Sequence, residues 1–131
     1  MSRYLLDTNH LSAYLDREQP LKGRTDSAQT RVDRFGICLP VLCEYHAGIR
    51  LGRKYERNLA RLQHALRRLW PVDEDTAAVF AEVFGEARTK GRAMSQFDLL
   101  IAAIARQYEL TLLSSDEDFR AVTGVRVENW L

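Results

Sequence analysis

The chain has 131 residues, 46% hydrophobic and 28% charged, an ordinary globular balance that suits one domain over residues 1–131 with a single sizeable core. A formal net charge of +1 excludes a bulk basic footprint, so any nucleic-acid surface must be local. Cys38 and Cys43, with four residues between them, match neither a CxxC redox pair nor a zinc framework and read as reduced, buried thiols. The apolar run before Asp7 is too short for a signal-peptide core, and no stretch could span a bilayer, so the expectation is a cytoplasmic protein.

In chain order, RYLLD at 3–7 reads as a short strand and TNHLSAYL as a short helix using Leu11, Ala13, Tyr14 and Leu15. Residues 16–34 are polar; Pro20 and Gly23 break the first part, and the rest suits a solvent-facing helix. FGICLP at 35–40 has the composition of a buried strand, with Pro40 suited to the first turn of a helix continued by VLCEYHAGI. Residues 53–70 carry Tyr55, Leu59, Leu62, Leu66 and Leu69 at steps of four and three, which predicts an amphipathic helix closed by Pro71. The next segment, 72–92, has acids in front and bases behind, as a helix dipole favours. Ser95 caps a further helix whose stretch Leu99 to Ala105 is apolar throughout, so it is buried on most sides. TLLSS at 111–115 is a third strand and VRVENW at 125–130 a fourth.

Strands alternating with helices predict a parallel sheet covered on both faces, with ligands at the carboxyl ends of its strands. YLLD and TLLSSD share one syntax, a short apolar strand followed by an acid where the chain leaves the sheet. If both strands are parallel, Asp7 and Asp116 emerge at the same edge. Glu44 follows Val41, Leu42 and Cys43, and its neighbours at i+3 and i+4 are the small Ala47 and Gly48. Asp98 stands three residues after Ser95, at the mouth of the most buried helix, where the helix N-terminus favours a carboxylate.

Each acid has a structural explanation. Asp7 suits a helix cap, Asp98 a capping box, and Asp116 or Asp118 a turn. Glu44 is hardest to explain so, because Glu is rarely buried unless paired. Four separate explanations compete with one shared site. Two carboxylates about 4 Å apart repel by roughly 4 kcal/mol at an effective dielectric near 20, so a shared site needs protons or cations. No Lys or Arg stands beside Asp7, Glu44 or Asp116 in sequence. An all-oxygen acidic cluster suits Mg²⁺ or Mn²⁺, ions that polarise phosphoryl oxygens and activate water. The chemistry this favours is phosphodiester hydrolysis or phosphoryl transfer.

The ordered set LLDTN (5–9), LPVLCEYHAGI (39–49), SQFDLLIAAIA (95–105), LLSSDEDF (112–119) and GVRVENW (124–130) resembles the PIN-domain family, in particular its VapC-type ribonuclease toxins. The resemblance implies a three-layer α/β/α sandwich around a small, mainly parallel sheet. It implies Asp7, Glu44, Asp98 and Asp116 as the catalytic acids and the Mg²⁺ or Mn²⁺ ligands, with Thr8 and Asn9 completing the first motif and Ser115 the hydroxyl position before the last acid. It further implies an RNA substrate, a cognate antitoxin, a homodimer and cleavage that leaves a 5′-phosphate and a 3′-hydroxyl. Segment 16–34 is longer than in the most compact members. Asp118 offers a second acid in the final motif; Asp116 is preferred because it stands closer to the strand end.

The competing readings are an inactive PIN-like RNA- or protein-binding module, which would be expected to lack some of the acids, and an aspartate-based phosphotransferase using Asp7 as nucleophile. Asn9 stands where the latter would want a second acid. His10, His46 and His64 share no spacing that suggests paired-histidine chemistry. Arg50, Arg53, Lys54, Arg57 and Arg61 follow three- and four-residue steps, as one helical face would, with Arg67 and Arg68 beyond. That stripe is either a solvated face or a lead-in for a single RNA strand.

Overall fold

The computed structural model describes residues 2–27, 34–65 and 68–131. The elements run β1 Tyr4–Leu6, α1 Thr8–Leu15, α2 Leu21–Ser27, β2 Phe35–Cys38, α3 Leu39–Leu51, α4 Tyr55–Ala65 and β3 Leu69–Trp70. They continue with α5 Glu74–Thr89, α6 Gln96–Gln107, β4 Thr111–Leu113, a 3₁₀ turn Glu117–Ala121 and β5 Arg126–Glu128.

Three local expectations change. The strand read from FGICLP stops at Cys38 and Leu39 joins α3, while Pro40 takes its expected place in the first turn of that helix, where a missing N–H costs nothing. The expected helix over 53–70 is shorter, Tyr55–Ala65, and Leu69–Trp70 forms a fifth strand instead; Leu66 and Arg67 lie outside the described residues. That strand forms because Gly36 lets the chain come close: a Cβ there would stand 2.9 Å from Trp70 Nε1 and 3.0 Å from the Arg68 carbonyl. Of the polar segment 16–34, Leu21–Ser27 is helical, while 28–33 lie outside the described residues. The helix expected within 72–92 is α5, opened by a reciprocal capping box between Asp73 and Thr76.

All sheet pairings are parallel, in the order β3-β2-β1-β4-β5. Successive crossovers run outward from β1 to β2 to β3, then return past the start to β4 and β5. Right-handed crossovers in opposite directions put their helices on opposite faces. Packing follows suit: α1 contacts α2, α3 and α4, α3 lies against α4, and α5 lies along α6. The fold is thus a three-layer α/β/α sandwich. Its middle is made by Leu5, Leu6, Ile37, Leu112 and Leu113, all buried, and α6 buries Leu99 and the run Ile101 to Ala105 against them. Burial on both sides explains why these strands read as unbroken apolar runs. The strand order reverses between β1 and β4, the crevice where open parallel sheets bind ligands.

Candidate active site

Asp7 stands at that crevice. Its backbone N–H donates to the Leu113 carbonyl at 3.0 Å, which carries the β1–β4 ladder one residue past β1. The chain then turns into α1, and Asp7 becomes its N-cap: Oδ1 accepts the His10 N–H at 2.8 Å. Oδ1 also lies 3.0 Å from His10 Nδ1, and the carboxylate is buried, 8% exposed. A cap accounts for the first contact; the second ties the carboxylate to a fully buried imidazole.

Glu44 lies on the second turn of α3 and is half-buried rather than buried. Its Oε1 accepts the Thr8 hydroxyl at 3.1 Å, which brings it beside the residue following Asp7. Thr8, the second residue of the DTN motif, thereby joins two of the acids; Asn9 is exposed. The space beside Gly48 is open, with no atom within 4 Å of a Cβ built there.

Asp98 is half-buried at the third position of α6, its N–H donating to the Ser95 hydroxyl at 3.1 Å. Burial pushes its carboxyl above the ordinary value; the Ser95 hydrogen bond opposes this, and Asp116, Asp118 and Asp7 add to the upward push. The like charges that raise Asp98 are therefore the acids of the other two corners. At the third corner, Asp116 is exposed. Its N–H donates to the Ser114 hydroxyl at 3.0 Å, and its Oδ1 accepts the Asp118 N–H at 2.9 Å. Asp118 faces outward toward Arg92, 3.9 Å away and largely exposed. The hydroxyl that fixes the last acid is thus Ser114, buried at the end of β4, whereas Ser115 is exposed.

Asp7, Asp98 and Asp116 therefore share one end of the sheet, Asp98 within electrostatic reach of the other two, with Glu44 tied in through Thr8. They do not close into a ready-made cage: among the described residues no three acidic, imidazole or thiol groups converge as metal ligands would. That arrangement fits Mg²⁺ better than a fully enclosed ion, because Mg²⁺ keeps several waters and uses one or two carboxylates. A raised carboxyl among like charges is the electrostatic condition that a cation relieves.

Sequence reasoning passed over two groups here, His10 and Ser114. The signal for His10 was its i+3 spacing from Asp7 in DTNH. For Ser114 it was the position directly after the last apolar residue of β4. The basic stripe does not lie on one helical face. Gly52 ends α3, so Arg50 belongs to α3, Arg53 and Lys54 to the following turn, and Arg57 and Arg61 to α4. Arg61 is bound to the Leu15 carbonyl and, at 2.6 Å, to Asp16; Arg50 stacks over Tyr55 at 5.2 Å. Arg53 and Lys54 are exposed, as is Arg57, whose guanidinium reaches the Asn58 side chain at 3.4 Å. Cys38 is buried, which pushes its thiol up to about 12, while Cys43 is exposed, contrary to expectation.

Comparison with known proteins adds an independent line. The PIN domain family matches residues 4–125. Ribonuclease VapC2 of Haemophilus influenzae is 30% identical over 134 aligned residues, covering 100% of both chains. VapBC2 from Rickettsia felis, solved with a DNA fragment from its promoter, is similar in fold, with a TM-score of 0.85 over 98% of each chain at 22% identity. VapBC-5 from Mycobacterium tuberculosis, a member of a family of toxin–antitoxin systems, gives a TM-score of 0.70 over 98% of each chain at 28% identity.

Proposed function

The chain belongs to the PIN-domain family, and we propose that it is a divalent-metal-dependent endoribonuclease, the toxin of a type II toxin–antitoxin pair. The observation that carries this reading is that Asp7, Asp98 and Asp116 stand at one end of the sheet by the β1–β4 crevice, with Asp98 pushed up by burial and by its acidic neighbours. Asp7, Glu44, Asp98 and Asp116 are the residues that would hold Mg²⁺ or Mn²⁺. When bound, the ion supplies positive charge that neutralises these carboxylates and polarises a phosphoryl oxygen.

The chain's own residues do the rest. Asp7 is fixed by its cap and by His10, and Glu44 by Thr8, so two carboxylates keep their places without a ligand. Exposed Asp116 and Asp118 leave the other side of the crevice open to an RNA strand. Water attacks phosphorus, the bond from phosphorus to O3′ breaks, and O3′ takes up a proton. The products carry a 5′-phosphate and a 3′-hydroxyl.

An antitoxin protein and a homodimer complete the proposal. The groove between α3, α5 and α6, lined by Leu39, Pro40, Val72, Phe80 and Phe97, supports the second, since Leu39, Val72 and Phe97 are exposed apolar side chains. No helix among the described residues is long and apolar enough to cross a membrane. Purified protein should cleave RNA with Mg²⁺ or Mn²⁺, stop in EDTA and resume when metal is restored. Expressed alone it should arrest growth, and Asp7→Asn should not. Cleavage that persists in chelator, or products with 2′,3′-cyclic ends, would overturn the chemistry. A chain that binds its antitoxin but cleaves nothing would be the inactive binding module.

A further inference from the structure

We propose that His10 is a positioning residue for the acidic site, gripping Asp7 by Oδ1 so that Oδ2 is the oxygen presented to a cation. This rests on the metal-dependent reading above. His10 is wholly buried, and both ring nitrogens are engaged. Nε2 accepts the Trp130 backbone N–H at 3.0 Å. A ring nitrogen that accepts carries no proton, so in the neutral ring the proton is on Nδ1. Nδ1 lies 3.0 Å from Asp7 Oδ1 and donates to it.

The second donor is more than a cap requires. An N-cap needs only the backbone N–H, which Asp7 Oδ1 already receives from His10 at 2.8 Å. The ring adds another donor to the same oxygen, and among the described residues all of Asp7's side-chain hydrogen bonds fall on Oδ1. Two donors occupy the two lone pairs of that oxygen and leave Oδ2 free. The far end of the ring is equally fixed. Trp130 packs on Tyr4 and Phe35 with ring centroids 4.9 Å and 5.9 Å away, and its Nε1 donates to Glu128 at 3.0 Å. The ring of His10 therefore cannot turn without unseating either a carboxylate or a packed segment. Such outer partners orient a metal-binding carboxylate and set its basicity, and losing one costs about 10–100-fold in metal affinity.

The experiment combines nitrogen-15 NMR of the histidine rings in wild-type protein with Mn²⁺ titration followed by electron paramagnetic resonance. The wild-type spectrum, without metal, should show one histidine with a protonated Nδ1 and a bare Nε2, the tautomer that free histidine disfavours. It should shift in Asp7→Asn. His10→Gln can still accept from the Trp130 N–H through its amide oxygen but loses the donor to Asp7. Its Mn²⁺ affinity should fall about 10–100-fold, with a metal-free melting temperature close to wild type. His10→Asn places an amide N–H near the position of Nδ1 and should restore most of that affinity. A spectrum with no such tautomer overturns the proposal even if neither variant folds. So does wild-type Mn²⁺ affinity in both variants, or Gln outranking Asn. If wild-type protein binds no Mn²⁺, the metal reading falls and this inference falls with it; if wild type binds and the variants bind equally, only the positioning role is lost.

Discussion

Two corners of the sheet carry the same local sequence idea and have been built in opposite ways. At the end of β1, Asp7 is buried, caps α1, and receives two donors on one oxygen. At the end of β4, Asp116 is exposed, caps only a 3₁₀ turn, and has for company Asp118, which itself faces Arg92. Both strands are parallel neighbours, so both acids leave the sheet on one side. In the proposed site the closed corner would fix where a ligand sits, while the open corner would let one arrive. A site built of two closed corners would exclude a polymer, and one built of two open corners would have no fixed geometry.

The sharpest test of this division is activity. Asp7→Asn, Glu44→Gln and Asp98→Asn should each reduce RNA cleavage by more than the roughly 100-fold expected for losing an outer partner, measured with a fluorogenic RNA. At the open corner Asp116→Asn should cost more than Asp118→Asn; the reverse order would move the fourth role to Asp118. Stability should separate the corners next. Asp7→Ala loses an N-cap, worth about 0.5–2 kcal/mol, and strands the buried His10 Nδ1–H, at about 1–3 kcal/mol. Asp116→Ala should stay within about 0.5 kcal/mol of wild type in urea melts. Comparable losses at both would erase the distinction.

A third test concerns how RNA reaches the open side. Arg53→Gln with Arg57→Gln should weaken single-strand binding for all sequences and shallow its salt dependence by about 0.7 for each phosphate no longer neutralised. An unchanged slope would make these residues a solvated face. The smallest effect is on the metal-free protein. Asp98 is held above its ordinary value of 3.8, so its ionisation opposes folding. That penalty is absent below pH 3.8, grows as pH rises through the interval up to the folded-state value, and is full at neutral pH. Asp98→Asn should therefore stabilise the metal-free protein at neutral pH, by less than about 1 kcal/mol for a partly screened group, and the gain should vanish in acid. Loss of stability at neutral pH would mean that the pull of the α6 dipole on the carboxylate outweighs burial and repulsion.

Much of this was legible in the chain. Buried parallel strands advertise themselves as unbroken apolar runs, so β1, β2 and β4 could be placed, and with them the shared edge of Asp7 and Asp116. What escaped was decided by tertiary contact. Leu69 continued a helical spacing, yet the Gly36 cleft drew Leu69 and Trp70 into the sheet as a two-residue strand. The basic residues kept helical steps across Gly52, where the helix in fact ends. His10 looked like a histidine without a partner because its partners are an acid one turn back and a main-chain N–H far along the sequence. Glu44 was read as buried from its apolar neighbours, although it is half-exposed and held by Thr8.

That distant N–H has a consequence for how the molecule is made. His10 and Trp130 stand 120 residues apart, and β1 is flanked by β4, whose residues also come late in synthesis. Asp7 leaves the ribosome well before Leu113 and Trp130, and it must wait for both before it has that ladder partner and a seated imidazole. Contacts of such long sequence separation form late and slowly. The acidic edge thus cannot take its full geometry on a half-made chain, and that geometry is complete only after synthesis has passed Trp130.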